Sequence, residues 1–149
     1  MRDLRAKCCG FADATARSFA TGLERNPTLE RLDLSNNSIN DAGGELLAVA
    51  ISVNRNLRYL NLRKNNMRAT SGAVFAKSML SNRTLKCLKL DKNSINISFL
   101  EEVARLILRN NQVIIANNVS ELRQDRKGYL DTRDENWHRV REQGKKAVK

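Results

Sequence analysis

The chain has 149 residues, of which 41% are hydrophobic, which is enough for one folded domain with a mostly aliphatic core. No apolar run reaches the ~18 residues that a membrane span needs, and the first residues lack the apolar stretch of a secretory signal. The formal net charge of +11 favours an acidic partner, but charge alone does not distinguish nucleic acid from an acidic protein surface.

The cysteine and histidine content argues against a metal site and against a disulfide framework. Cys8 and Cys9 are adjacent, Cys87 is far away in the chain, and no C-x-x-C spacing occurs. A structural zinc site needs about four cysteine or histidine ligands at close spacing, so the sequence predicts no metal site. Reduced thiols in an intracellular, cytoplasmic compartment are the simplest explanation of these three cysteines.

One sequence pattern occurs three times at a fixed interval. It reads LERLDLSNNSI from Leu29, LRYLNLRKNNM from Leu57 and LKCLKLDKNSI from Leu85, so successive copies start 28 residues apart. Leucines alternate with polar residues in each copy, as in a short strand with one buried face. An asparagine follows each strand and is expected to satisfy backbone groups in the bend, a structural role rather than a catalytic one. These three positions are Asn37, Asn65 and Asn93.

A degenerate copy of the pattern precedes the three clean ones. Moving back 28 residues places Leu4, Ala6, Cys9 and Phe11 at repeat positions, with Cys9 in place of the asparagine. We predict that this position is buried, because a thiol tolerates burial. The chain then starts inside a repeat without a polar cap, so either another surface covers the first residues or the array is longer than this chain.

Each repeat is also predicted to contain one amphipathic helix between its strand and the next. Apolar residues spaced by three and four, such as Phe19 with Leu23 and Phe75 with Met79, share one helix face. Small residues near the helix starts are expected to allow close packing of neighbouring helices; these are Ala16, Gly44 and Gly72. Asp13 and Asp41 are predicted N-caps. A second asparagine series predicts left-handed helix ends at Asn26, Asn54, Asn82 and Asn110.

The residues that alternate with the buried leucines form a polar face on the predicted sheet. Cross-strand charge pairing that keeps the sheet soluble is one interpretation of this face. The functional interpretation is a partner-binding surface, because tyrosine and arginine are favoured at interaction hot spots. Its candidate residues are Arg31, Tyr59, Asn61, Arg63 and Lys89.

The pattern weakens near the end of the chain. QVIIANN, residues 112–118, is predicted to be a final, less regular strand, so the repeat array is assigned to residues 1–118. Residues 119–149 form a charged tail in which capping-box patterns and two glycines predict short helices. The tail either folds back over the last repeat or reaches out to a partner. For the second alternative the candidate contacts are Tyr129, Trp137, Arg139 and Arg141.

These repeats resemble the ribonuclease-inhibitor type of leucine-rich repeat, in their period, in the L-x-x-L-x-L-x-x-N strand and in the N-x-x-L helix exit. The resemblance covers about residues 1–118 and is weakest at both ends. It implies an α/β solenoid, a right-handed horseshoe segment with parallel strands on the concave side and helices on the convex side. It also implies protein binding, and the short basic array with a charged tail looks most like axonemal and cytoskeletal relatives.

The leading hypothesis for function is a non-enzymatic protein–protein interaction scaffold, a subunit of a larger intracellular assembly such as the cytoskeleton or the ciliary axoneme. The sequence contains no phosphate-binding glycine loop, and the single His138 lies outside any catalytic constellation, so no catalytic residue and no cofactor are predicted. An RNA- or ribonucleoprotein-associated subunit is the second hypothesis, although the aromatic residues are few. The third is a GTPase regulator acting through Arg63 or Arg31, by analogy with repeat proteins that activate a GTPase.

Overall fold

The computed structural model describes residues 1–115, with side chains described to residue 111. Within this range strands and helices alternate as β1 (Asp3–Arg5), α1 (Asp13–Arg25), β2 (Arg31–Asp33), α2 (Asp41–Val53), β3 (Tyr59–Asn61), α3 (Ala69–Ser81), β4 (Cys87–Lys89) and α4 (Ile97–Ile115). The strands form one sheet in the order β1-β2-β3-β4, and each neighbouring pair is parallel. The predicted α/β solenoid of leucine-rich-repeat type is therefore confirmed.

The strand register follows the 28-residue period. Leu4, Leu32, Leu60 and Leu88 are aligned across the four strands. Leu32 and Leu60 are fully buried, and Leu88 is 8% exposed. Since burying one leucine stabilises a fold by roughly 1.5–3 kcal/mol, a row of aligned leucines gives the sheet one continuous apolar side.

Small residues let neighbouring helices approach closely, as their positions predicted. Ala16 is fully buried. A Cβ on Gly44 would lie 2.7 Å from the Met67 Sδ, and one on Gly72 would lie 2.5 Å from the Ile95 Cγ2. Both distances are shorter than van der Waals contact, so these two positions have no room for a side chain.

The asparagines after the strands hydrogen-bond successive repeats to one another. The Asn65 Nδ2 donates to the Leu34 carbonyl of the preceding repeat at 3.1 Å and to the Leu62 carbonyl of its own repeat at 2.9 Å. Its Oδ1 accepts the backbone N–H of Ile39 at 3.1 Å. Asn37 and Asn93 make the equivalent bonds. Backbone groups that no strand partner reaches are thereby satisfied.

The prediction of left-handed helix ends was wrong. Asn26, Asn54 and Asn82 have extended backbones, with φ between −84° and −66°. The Asn54 Oδ1 instead accepts the Leu57 N–H at 2.7 Å, and its Nδ2 donates to the Leu23 carbonyl at 2.6 Å. The side chain therefore shapes the turn from helix to strand. The left-handed residues occur in the bends after the strands, at Cys8, Gly10, Asn36, Lys64 and Lys92.

The two aspartates predicted as N-caps act on the following repeat rather than on their own helices. The helices start after Ala12 and Asn40, and neither residue makes a side-chain capping bond. The Asp13 Oδ1 accepts the backbone N–H of Asn40 at 2.7 Å, and the Asp41 Oδ1 accepts that of Arg68 at 2.7 Å. Each carboxylate thus serves the start of the next helix, because neighbouring helices begin side by side.

Hydrogen bonds to Asp41 also change its titration. Burial alone would raise the pKa of this carboxyl, but the Ser71 hydroxyl and the Arg68 amide donate to it. These donors favour the charged form, and the net result is a lowered pKa.

Cys9 was predicted to be buried, and this was also wrong. Its backbone N–H donates to the Asn37 Oδ1 at 3.0 Å, so the degenerate first repeat does form. The thiol itself is exposed, as is that of Cys8. No preceding repeat within the described residues covers this end of the sheet.

The predicted final strand was wrong where the structure describes it. Residues 112–115 continue α4, and Asn110 lies inside that helix rather than at its end. The side chains of Asn110 and Asn111 donate to the carbonyls of Leu85 and Lys86 at 2.9 and 3.0 Å. Lys86 directly precedes β4, and the matching carbonyls of Glu30 and Arg58 accept backbone N–H groups from the repeat that follows each of them.

Arg109 replaces the last asparagine of the helix-end series. Its Nη2 donates to the Met79 and Asn82 carbonyls, each at 2.8 Å. In the preceding repeat the Asn82 amide binds the matching carbonyls of Ile51 and Asn54, at 2.6 and 3.2 Å. Residues 116–118 and the predicted tail, residues 119–149, lie outside the described residues.

Candidate functional site

The concave face consists of polar rows that cross the four strands. The register places Asp3, Arg31, Tyr59 and Cys87 in one row. The second row contains Arg5, Asp33, Asn61 and Lys89. The alternation predicted for the strands therefore brings these side chains to one surface, opposite the buried leucines.

Arg31 and Tyr59 form the centre of this face. The Arg31 guanidinium carbon lies 4.2 Å from the centroid of the Tyr59 ring, a cation–π contact worth about 0.5–1 kcal/mol at an exposed position. The Arg31 side chain is 51% exposed, and its Nε lies 3.7 Å from the Asp3 Oδ2. Burial raises the pKa of the Tyr59 phenol, so the hydroxyl is neutral near pH 7. The two side chains are stacked and still partly open to solvent.

A pocket of about 200 Å³ surrounds this pair. It is lined by Asp3, Arg5, Arg31, Asp33 and Tyr59. Acidic and basic groups alternate around the aromatic ring. Asp3, Arg5 and Asp33 were absent from the candidate residues proposed from the sequence, although the same strand alternation places them beside Arg31 and Tyr59.

Two of the predicted contact residues are held within the fold instead. Asn61 is 8% exposed, and its Nδ2 donates to the Asp33 Oδ2 at 3.1 Å. The Arg63 Nε lies 2.8 Å from the Asp91 Oδ2, and these side chains are only 18% and 8% exposed. An arginine held against a buried carboxylate is poorly placed to reach a nucleotide on another protein, which argues against Arg63, though not against Arg31, as the residue of a GTPase regulator. Lys89 is half-buried beside Asn61.

Other expectations concern features outside this face. The described part of the chain contains no group of three or more His, Cys, Asp or Glu residues able to hold a metal ion. None of its helices is both long and apolar enough to cross a membrane. The tail candidates Tyr129, Trp137, Arg139 and Arg141 lie outside the described residues.

Comparison with known proteins identifies the repeat. A family model described as "Leucine Rich repeat" matches residues 25–48 and 53–76, which correspond to the two central repeats. These two repeats are leucine-rich repeats. No curated protein sequence matches it.

Two solved structures show the same fold. One is titled "Leiomodin-1 Actin-Binding Site 2" and is 18% identical with a TM-score of 0.66, covering 100% of this chain and 90% of that one. The other is the tropomodulin C-terminal domain of Caenorhabditis elegans, 19% identical with a TM-score of 0.66, covering 98% and 90%. At this identity the likeness shows a shared fold, and the ribonuclease-inhibitor type inferred from the repeat agrees with it.

Proposed function

We propose that this leucine-rich repeat protein is a non-enzymatic scaffold whose concave face binds a protein of a cytoskeletal assembly. The observation that carries the proposal is the Arg31–Tyr59 pair at the centre of that face, with its 4.2 Å stacking distance. Arginine and tyrosine dominate the binding energy of protein interfaces. Because this pair is already stacked, binding orders fewer free rotamers.

The size of the pocket favours a protein partner over a small molecule. Sites for drug-sized ligands and cofactors enclose roughly 300–1,000 Å³. The pocket around Tyr59 holds about 200 Å³, enough for one or two anchoring side chains of a partner. The mixed charges of Asp3, Arg5 and Asp33 would then select a partner surface with the complementary arrangement.

The cytoskeletal part of the proposal is supported by the fold comparison and by the sequence resemblance. The leiomodin-1 structure is named for an actin-binding site, and its match covers 100% of this chain. We extend the proposal to an intracellular assembly of several subunits, with the ciliary axoneme as one setting. Actin filaments and microtubules are the two filaments to test first.

Cosedimentation with each filament tests the proposal. The full chain is expected to pellet with at least one of them. An Arg31→Ala/Tyr59→Ala variant should bind at least about tenfold more weakly, the loss expected for a hot-spot pair. The matched control is Arg17→Ala on the convex helix α1, which is exposed and should bind like the parent. Absence of binding to both filaments, or full binding by the double variant, would refute the proposal.

A further inference from the structure

A second polar surface lies at the end of the sheet where the strands begin, that is, at their amino-terminal ends. We call it the basic edge and define it as Arg55, Arg58, Arg83 and Lys86. These residues belong to the helix-to-strand connections NRNLR and NRTLK, which contain no acidic residue. The matching connection one repeat earlier reads NPTLE and has no basic residue, so the charge is concentrated in two repeats.

Like charges lie side by side on this edge. Arg58 and Lys86 occupy the same position in successive repeats, and the Lys86 backbone N–H donates to the Arg58 carbonyl at 2.8 Å. Neighbouring strands are ~4.8 Å apart, and like charges directly opposite each other destabilise a sheet. The pKa of Lys86 is lowered, first by burial and then by the Arg58 charge. The pKa of Arg109 is also lowered, first by burial and then by the positive charge of Arg83.

Some cations near this edge have a structural task. The Arg55 Nη1 donates to the Ser52 carbonyl at 2.7 Å, and the Lys86 Nζ donates to the Asn110 carbonyl. The contact with Ser52 offsets the partial negative charge at the C-terminus of α2. Arg58 and Arg83 differ, because both are exposed and neither guanidinium group makes a hydrogen bond or an ion pair among the described residues.

We propose that the basic edge binds an acidic segment of a protein, with Arg58 and Arg83 as its principal contacts. Guanidinium groups bind carboxylates through paired hydrogen bonds, and a rigid sheet edge presents them at low entropic cost. An anionic partner would relieve the repulsion between Arg58 and Lys86.

The composition of the edge favours carboxylates over nucleic acid. Single-stranded nucleic acid is held largely by bases stacked on aromatic side chains. The connections at residues 26–30, 54–58 and 82–86 contain no aromatic residue, and the nearby Tyr59 ring is covered by Arg31. The inference rests on the proposed function only in taking the partner to be a protein, and it concerns a separate surface.

Fluorescence anisotropy with a fluorescein-labelled poly-glutamate peptide tests the basic edge on the full chain. Arg58→Glu/Arg83→Glu is expected to weaken binding by at least about tenfold, since two attractive contacts become repulsive. The matched control is Arg17→Glu/Lys77→Glu, which makes the same charge change at exposed positions of α1 and α3. It should change binding by less than about twofold at moderate salt, where distant charges are screened.

Three results would overturn the proposal. Equal weakening by both double variants would show that net charge, not the edge, attracts the peptide. Tighter edge-dependent binding of an oligouridine RNA would identify a nucleic-acid surface. Absence of peptide binding by the parent chain at low salt would exclude the site. Arg31→Ala/Tyr59→Ala should retain peptide binding, so the edge and the concave face can fail independently; Arg58→Gln/Arg83→Gln replaces the charge-reversed variant if that one unfolds.

Discussion

Two glycines in neighbouring helices are expected to respond to alanine in opposite ways. A Cβ on Gly22 in α1 would meet no atom within 4 Å. A Cβ on Gly43 in α2 would lie 2.6 Å from the Asp13 Oδ1, 2.9 Å from the Ala16 Cβ and 2.9 Å from the Ile39 Cγ2. The Ala16 Cβ is fixed to the backbone of α1, so the two helices must separate to admit the extra methyl group.

The magnitudes follow from these contacts. Gly22→Ala should stabilise the fold by about 0.5–1 kcal/mol, the usual gain from replacing glycine inside a helix. Gly43→Ala has a smaller propensity gain, because it lies in the first turn, and overpacking costs roughly 1–3 kcal/mol. The two variants should therefore differ by about 1.5–4 kcal/mol in the free energy of unfolding.

Urea unfolding followed by circular dichroism measures this difference. Gly22→Ala should raise the midpoint and Gly43→Ala should lower it, with little change in the slope of free energy against denaturant. Equal midpoints for the two variants would refute the close helix packing at Gly43. A Gly43→Ala variant more stable than the parent would do so more strongly.

Three further results are expected. Leu60→Ala should cost ~2–5 kcal/mol because it opens a cavity in the centre of the sheet, and thermal unfolding equal to the parent would contradict the core assignment. Asn65→Ala should leave the buried backbone N–H of Ile39 without its acceptor, costing about 1–3 kcal/mol, and unchanged hydrogen exchange of the central repeats would contradict this. The lowered pKa of Asp41 means that its charged form stabilises the fold above the unfolded pKa of about 3.9, and that this contribution is lost as pH falls through the lower folded pKa. The stability difference between the parent and Asp41→Asn should therefore shrink on acidification below about pH 4, and a difference that grew instead would show the opposite sign of linkage.

The central repeats were predictable because the same residue meets the same environment every 28 positions. The register of Leu32, Leu60 and Leu88 follows directly from the period. The capping role of Asp13 did not follow, because it depends on how far the start of α1 lies from the start of α2. Sequence spacing describes one helix at a time, whereas this bond joins two.

The structure at the end of the repeat array could not be predicted, for a different reason. Residues QVII form a short apolar run, which suits a strand and a buried helix equally well. The choice depends on Asn110 and Asn111, whose amides reach the carbonyls that precede β4 only if the helix continues past Arg109. These contacts join parts of the chain that are distant in sequence, so no local sequence pattern predicts them.

The sequence predicted which face the candidate residues occupy, but not how exposed each side chain is. Strand alternation placed Arg31, Tyr59, Asn61 and Arg63 on one face. It could not show that Asn61 and Arg63 are held by Asp33 and Asp91, since these partners sit in neighbouring repeats and the depth of each side chain depends on how the sheet curves.

The asparagine side chains give the array a direction of construction. Asn37, Asn65 and Asn93 each donate to a carbonyl 31 residues earlier, so every repeat is finished by the one synthesised after it. During translation, the most recently emerged coil would stay incomplete until its successor leaves the ribosome. The repeats should then fold one after another, starting from the amino terminus. The last repeat would be completed when Arg109, Asn110 and Asn111 emerge and bind its carbonyls.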